Sequence, residues 1–243
     1  MSNINNTEKN KIKKARFKKV YAPLKMHHTR GEDSRTVEAG IDEAGRGCLA
    51  GPVYAAAVIL PDSFPDDTYK DIRDSKTLTE RKREMLYDYI TEHVTDYAII
   101  SVPPKRIDEI NILQATFTAM HYAVDNLTFI PDLLLVDGDK FKPYKSPHGN
   151  GEYTEHVCVK GGDNEYIAIA AASILAKVSR DRHMKKLCKL HPELDQRYGW
   201  SKNKAYGTKQ HRDGIKEHGI SQYHRKTFGI CREYVETDEP MRL

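Results

Sequence analysis

Apolar positions are unevenly distributed along the chain. Residues 1–36 show no sustained periodicity and read as a disordered or loosely attached segment. From Val37 the pattern becomes that of a folded domain. Strands are expected at 37–42 and 52–60. The second lies in the apolar run Leu49 to Leu60 and follows the turn signal Gly51-Pro52. A helix is expected to open in DSKTLTERKRE, where Thr77 and Glu80 have capping-box spacing, with Met85, Leu86, Tyr89 and Ile90 as its apolar face. A strand at 97–102 should end at Pro103-Pro104. Beyond it Ile110, Leu113, Phe117, Met120, Val124 and Leu127 step by three and four, which predicts one continuous helix with a core stripe. DLLLVDG, from Asp132 to Gly138, reads as a buried strand, and a shorter strand is expected over 156–160. Tyr166 to Val178 is alanine-rich and predicts a helix lying close on the sheet. The remainder, 181–235, is polar, helical and loop-like.

The chain has 243 residues, 39% of them hydrophobic, enough for one α/β domain with a real core. One domain over 37–235 is expected, including a C-terminal helical extension and followed by a short tail at 236–243. No apolar run approaches the roughly 20 residues of a membrane span, so a membrane partner is not expected. The four cysteines, Cys48, Cys158, Cys188 and Cys231, lie far apart with no C-x-x-C pair. That argues against a zinc site and a disulfide framework, and for a reducing, cytoplasmic setting. The net charge of +4 is concentrated at the start: residues 1–35 carry ten Lys and Arg against three Asp and Glu. A basic arm before a mildly acidic body suits a polyanion, although a solvated tail with no task reads the same way.

The candidate chemistry begins at Gly40 to Gly47, GIDEAGRG. Adjacent carboxylates such as Asp42 and Glu43 repel unless a cation neutralises them. Mg²⁺ is held by one or two carboxylates together with substrate phosphates. The Gly45-Arg46-Gly47 turn allows close backbone approach, and its arginine suits a phosphate. A solvated strand end is the plainer reading of the pair alone. Asp137, closing a buried strand, and Asp163, just after another, share the same context, since ligands of open α/β sheets gather at strand ends. Four carboxylates converging there could hold two divalent cations, which clamp the attacking and leaving oxygens of a phosphoryl displacement. Asp139 reads as a turn residue. Asp181 is a possible fifth carboxylate but is expected to pair with Arg180 or Arg182 or to cap a helix.

GIDEAGRG, DSKTL, LLVDG, KGGD, AAASILAKVSRD and YHRKTFG occur in this order, and together they resemble ribonuclease HII, the type 2 ribonuclease H family. The likeness runs from about Val37 to about Gly229. It implies an RNase H-like fold, a mixed five-stranded sheet flanked by helices with a helical C-terminal extension. It implies an endonuclease dependent on two Mg²⁺ or Mn²⁺ ions, cutting the RNA of RNA–DNA hybrids and nicking 5′ of single ribonucleotides in duplex DNA. The family's metal-binding carboxylates fall on Asp42, Glu43, Asp137 and Asp163. Before the last stands Lys160-Gly161-Gly162, one glycine longer than the usual Lys-Gly. Gly45, Arg46 and Gly47 match the turn that contacts the ribonucleotide, whose 2′-hydroxyl separates RNA from DNA. Lys76 matches a position near the nucleic-acid backbone, and Tyr206 matches the tyrosine that recognises the RNA–DNA junction. Around it KAYGT departs from Lys-Gly-Tyr-Pro-Thr, and Gly207 in place of proline threatens to loosen the ring. A monomer is expected.

Lys177, Arg180 and Arg182 are candidates to touch phosphate or the acidic residues. The cluster His211, Arg212, His218, His224, Arg225 and Lys226, with Tyr223, suits a nucleic-acid-facing surface; Phe228 reads as core, and most histidines as surface residues. An inactive nucleic-acid-binding module and a type 3 ribonuclease H are the competing readings. All four carboxylates disfavour the first; a short polar N-terminal segment and aspartate at 163 disfavour the second. Deleting residues 1–35 should weaken nucleic-acid binding and flatten its salt dependence, because fewer counterions are released. An unchanged slope in a salt titration would show the arm to be idle.

Overall fold

A computed structural model describes residues 23–28, 36–147 and 151–235. The expected disorder of residues 1–22 and 29–35 and the tail at 236–243 lie outside the described residues. Residues 23–28 sit against the body: Lys25 N–H donates to Glu165 O at 2.8 Å, Lys25 O accepts from Ile167 N–H at 3.0 Å, and the His28 ring lies 2.7 Å from the Tyr166 hydroxyl. A truncation that isolates the charge of the arm therefore ends before Pro23.

The sheet has five strands in the order β3-β2-β1-β4-β5, with β1 at Glu38–Ala44, β2 at Val53–Ile59, β3 at Asp96–Val102, β4 at Leu133–Asp137 and β5 at Glu155–Val159. β1 pairs antiparallel with β2 and parallel with β4, so the sheet is mixed. β4 in turn pairs parallel with β5, which brings the carboxyl ends of β1, β4 and β5 to one edge.

Helix α1 is Glu80–His93, α2 Pro104–Asp125 and α3 Ile167–Leu190. α2 covers one face, where Ala39, Ile41, Ala55, Ala57, Leu134 and Val136 meet Phe117, Met120 and Val124. α1 and α3 cover the other, where Ala56 and Val58 meet Leu86, Ile90, Ala171 and Ile174. Successive strand side chains point to opposite faces. Asp42 therefore shares the α3 side with Gly40, and Asp137 shares it with Leu133 and Leu135, which pack on Ile169. Beyond α3, α4 (Pro192–Tyr198), α5 (Trp200–Asn203) and α6 (Lys209–His218) form the extension around a separate core containing Met184, Trp200 and Ile215.

Three local expectations are corrected. Thr77 ends a 3-10 turn, and the N-cap of α1 is Thr79, whose hydroxyl accepts from Lys82 N–H at 3.3 Å. The striped helix is broken at Asn111, which has φ 65° and ψ 164°. Its side-chain oxygen accepts from Leu113 N–H at 3.0 Å and Gln114 N–H at 3.1 Å, so it caps a second helical segment. The alanine-rich helix does not stop near Val178 but runs on to Leu190, because Met184, Leu187 and Cys188 continue its buried face into the extension's core.

α3 lies directly on the backbone of β1. A Cβ at Gly40 would come within 2.2 Å of Ala168 C and 2.5 Å of Ile169 N, backbone atoms that cannot swing aside. Gly40→Ala is expected to destabilise the protein by about 3 kcal/mol or more through overpacking. A drop of less than about 2 °C in the thermal midpoint would show that the helix can lift off the strand.

Candidate active site

Asp42 and Asp163 are buried at the shared strand edge, with Asp137 and Glu43 half-buried beside them. Asp42 Oδ1 accepts the Glu43 amide at 2.6 Å, which fixes the carboxylate against its own strand. Asp137 Oδ1 accepts the Gly162 amide at 2.8 Å. That bond shows how the extra glycine is absorbed. Gly161 takes the left-handed conformation, φ 72°, ahead of a short 3-10 turn, and a Cβ at Gly162 would strike Ile169 Cδ1 at 2.5 Å. Both positions favour glycine, the first by its left-handed φ and the second by the close Ile169 side chain, and Asp163 remains 3% exposed.

Burial and neighbouring carboxylates raise Asp42, Glu43 and Asp163. Asp42 lies well above the usual range, first through burial, then through Glu43 and Asp137, with a hydrogen bond from Ser173 acting the other way. Asp163 is pushed up to about 6 by burial, then by Asp74 and Asp137, against the pull of Lys76. Burial also raises Glu43, opposed by Arg46, whose Nη1 is 3.4 Å from Glu43 Oε1. Lys76 Nζ stands 4.0 Å from Asp163 Oδ2 on a mostly exposed side chain. Four carboxylates from three chain segments, with Glu43 and Asp137 raising Asp42 and Asp137 raising Glu43 and Asp163, match a hard divalent cation. Among the described residues, no three His, Cys, Asp or Glu side chains form a ready ligand cage.

The turn beside the carboxylates is built on two buried arginines. Gly45 has φ 94°, and a Cβ there would lie 2.1 Å from Arg180 Nε. Arg225 donates to Gly45 O at 2.7 Å, to Arg46 O at 2.8 Å and to Gly51 O at 3.0 Å. Arg180 donates to Pro52 O at 3.1 Å, Ala50 O at 3.1 Å and Lys204 O at 2.9 Å. Arg46 and Gly47 are left exposed at the tip. Cys48 bridges to Tyr206 in an antiparallel pair, so the tyrosine stands beside the turn. The Tyr206 ring is 40% exposed, with Lys177 Nζ 5.6 Å and the Arg180 guanidinium 5.8 Å from its centre. Burial, more than the neighbouring Cys48, lifts its hydroxyl to about 12.

Several assignments change. Arg180 is fully buried among carbonyls, out of reach of a phosphate. Asp181 pairs at 2.7 Å with Lys177, one helical turn back, and not with either arginine. Arg182 faces away toward α1, bridging Glu84 and Asp88 and lying 4.2 Å over the Tyr87 ring. In the C-terminal cluster His211, His224 and Arg225 are buried, so they cannot form the expected surface. Phe228 packs partly buried against the α2-side core, with Arg225 5.0 Å over its ring. Three contributors were missed. Ser173 and Ser75, buried and 3.0 Å apart, link Asp42 to the segment carrying Lys76, and Asp74 bonds Asp163. Their signal lay inside the DSKTL and AAASI segments, where Asp74 caps a short 3-10 turn and Ser173 places a hydroxyl within the buried alanine-rich run of α3.

A raised carboxyl binds a proton in the folded state that it has lost in the unfolded one. Asp163 thus costs stability progressively as pH rises from about 4 to about 6. In chelator, Asp163→Asn should match wild type near pH 4 and melt higher above pH 6, by about 1–3 kcal/mol. Equal melting curves at pH 7 would show that the carboxylate is not strained.

The sequence profile of the ribonuclease HII family matches residues 39–231. Ribonuclease HII of Phocaeicola vulgatus is 50% identical over 194 residues, 80% of this chain and 90% of that protein. The Parabacteroides distasonis ribonuclease HII is 48% identical over 197 residues, 81% of this chain and 92% of its own. Among solved structures, ribonuclease H2 from Pyrococcus horikoshii superposes with a TM-score of 0.64 at 26% identity, covering 81% of this chain and 96% of that one. With a match spanning the sheet, the carboxylate edge and the helical extension, the chain belongs to the ribonuclease HII family and is a metal-dependent endonuclease of ribonuclease H type.

Proposed function

We propose that this enzyme hydrolyses the RNA strand of RNA–DNA hybrids and nicks duplex DNA on the 5′ side of single embedded ribonucleotides. The observation that carries this is the meeting of three parts at one sheet edge: the four carboxylates, the Gly45–Gly47 turn and the ring of Tyr206. Asp42, Glu43, Asp137 and Asp163 would hold two Mg²⁺ or Mn²⁺ ions. When bound, such ions activate water and neutralise charge on the phosphodiester, giving 3′-hydroxyl and 5′-phosphate ends.

The remaining roles belong to the chain itself. The carbonyls of Gly45 and Arg46 are committed to Arg225, so the turn meets a substrate with backbone amides and the Arg46 side chain. Amides that approach closely can bond the 2′-hydroxyl and its adjacent phosphate, which is how one ribonucleotide is told from its deoxy neighbours. Tyr206 offers an aromatic face beside that turn, suited to the sugar at the junction. Lys76 and Arg46 bring positive charge to phosphate oxygens, positioning the duplex without reading bases. The four cysteines are free thiols, which suits a reducing cytoplasm, and the biological task is removal of ribonucleotides from DNA during replication and repair. Among the described residues no helix is long and apolar enough to cross a membrane.

The test is a DNA duplex with one internal ribonucleotide, incubated with Mg²⁺, Mn²⁺ or EDTA beside an all-DNA control. A metal-dependent nick 5′ of the ribonucleotide is expected, and Asp42→Asn or Asp137→Asn should remove cleavage while retaining binding. Binding without a nick by the wild-type protein would instead favour a binding module, and wild-type turnover by either variant would overturn the assigned site.

A further inference from the structure

The loop that carries Tyr206 is held through both its amides and its carbonyls. The amides of Lys204, Ala205 and Tyr206 donate to Trp200 O at 2.9 Å, Asn203 Oδ1 at 2.8 Å and Asn203 O at 3.0 Å. Lys204 O accepts from Arg180 Nη1 at 2.9 Å, and Ala205 O from Leu49 N–H at 2.9 Å. Tyr206 O accepts from Thr208 N–H at 2.8 Å and faces His211 Nδ1 at 3.0 Å, while Gly207 O accepts from Arg212. The clamps are needed, because Lys204 and Ala205 both adopt left-handed φ, 50° and 65°, where a side chain is disfavoured.

His211 has a fixed tautomer. The Trp200 indole N–H can only donate, and it points at His211 Nε2 at 3.0 Å. Nε2 is therefore an acceptor, and the proton of the neutral ring sits on Nδ1, aimed at the Tyr206 carbonyl. His224 completes the arrangement. Its Nδ1 accepts from Ser221 N–H at 2.9 Å, so its own proton is on Nε2 and points at His211 Nε2, 3.0 Å away. Both rings are buried, and burial holds both below the usual histidine range, His224 at about 3. The pair is neutral at physiological pH, and the Trp200 and His224 N–H groups share the one lone pair of His211 Nε2, which leaves its Nδ1 proton for Tyr206 O.

We propose that His211, oriented by Trp200 and His224, is a positioning residue that sets the Tyr206 ring against the ribonucleotide junction and so contributes to junction specificity. The proposal rests on the reading of Tyr206 given above. It also accounts for a tyrosine that stays placed although glycine follows it at 207. Thr208 N–H shares the same carbonyl, so loss of His211 should loosen the loop without unfolding it.

Two substitutions separate positioning from packing. In His211→Asn the side-chain amide stands where Nδ1 was and still donates to Tyr206 O, but the acceptor for Trp200 is lost. In His211→Gln the amide oxygen reaches the Nε2 position and keeps Trp200 and His224 satisfied, but the donor to Tyr206 O is lost. The readout is the ratio of kcat/KM on a duplex with one ribonucleotide to kcat/KM on a long RNA–DNA hybrid. Tyr206→Ala sets the scale. His211→Gln should lower the ratio by about tenfold, the worth of one hydrogen bond, and His211→Asn should keep it within about twofold. In the Tyr206→Ala background, His211→Gln should change the ratio no further. If Tyr206→Ala lowers the ratio but His211→Gln does not, or if Asn and Gln lower it alike, the positioning role is overturned. If Tyr206→Ala itself leaves the ratio unchanged, the reading of Tyr206 fails first, and that result is distinct from the other two. Melting curves of both His211 variants identify any loss of folded protein before rates are compared.

Discussion

Two guanidinium groups, each wholly inside the protein, organise everything on the substrate-facing side. Arg180 comes from α3 and Arg225 from the segment after α6, and both direct their donors at carbonyls of the 45–52 connection. A buried charge is costly unless its hydrogen-bonding capacity is met, and here backbone oxygens meet it. Burial leaves its mark on Arg225, whose guanidinium is lowered to about 10. Through these five bonds the glycine turn after β1 is tied to the interior of the extension. Arg180 also takes Lys204 O, so one side chain ties the turn to the loop of Tyr206.

The acidic side of the site obeys the opposite rule. Burial and like charge raise Asp42, Glu43 and Asp163 there; Asp74 adds to the effect on Asp163, and the Ser173 hydroxyl offsets only part of it on Asp42. The protein thus keeps a locally unfavourable cluster on an otherwise well-packed sheet edge. Strain of this kind concentrates at functional sites, where cation and substrate complete what the fold leaves open. Two of the four carboxylates and the carbonyls that receive most of the arginine donors lie within one short stretch of chain, Asp42 to Pro52.

Much of this was legible in the sequence, and the failures share a cause. Strands β1, β2, β3 and β4 declare themselves by apolar runs closed by Gly, Pro or Asp, and the carboxylates sit where those runs end. Periodicity also marked the helix carrying Phe117 and Met120, but it could not reveal the break at Asn111, since asparagine caps and helix interiors look alike without their hydrogen bonds. Charge misled most at the C-terminus. His211, His224 and Arg225 read as a basic surface, and nothing local shows that tertiary carbonyls and an indole would satisfy them inside. Arg180 was misread for the same reason. The glycine added before Asp163 left that aspartate in the expected ligand set, and a left-handed Gly161 and a tight Gly162 accommodate it.

The bare backbone of Gly40 under Ala168 has a mechanical consequence. With no side chain between them, the spacing of β1 from α3 is set by backbone atoms alone. Asp42 on the strand and Ser173 on the helix therefore meet across a gap that no rotamer change on residue 40 can alter. Any larger residue at position 40 would push the helix, and the hydroxyl it carries, away from the carboxylate that hydroxyl bonds.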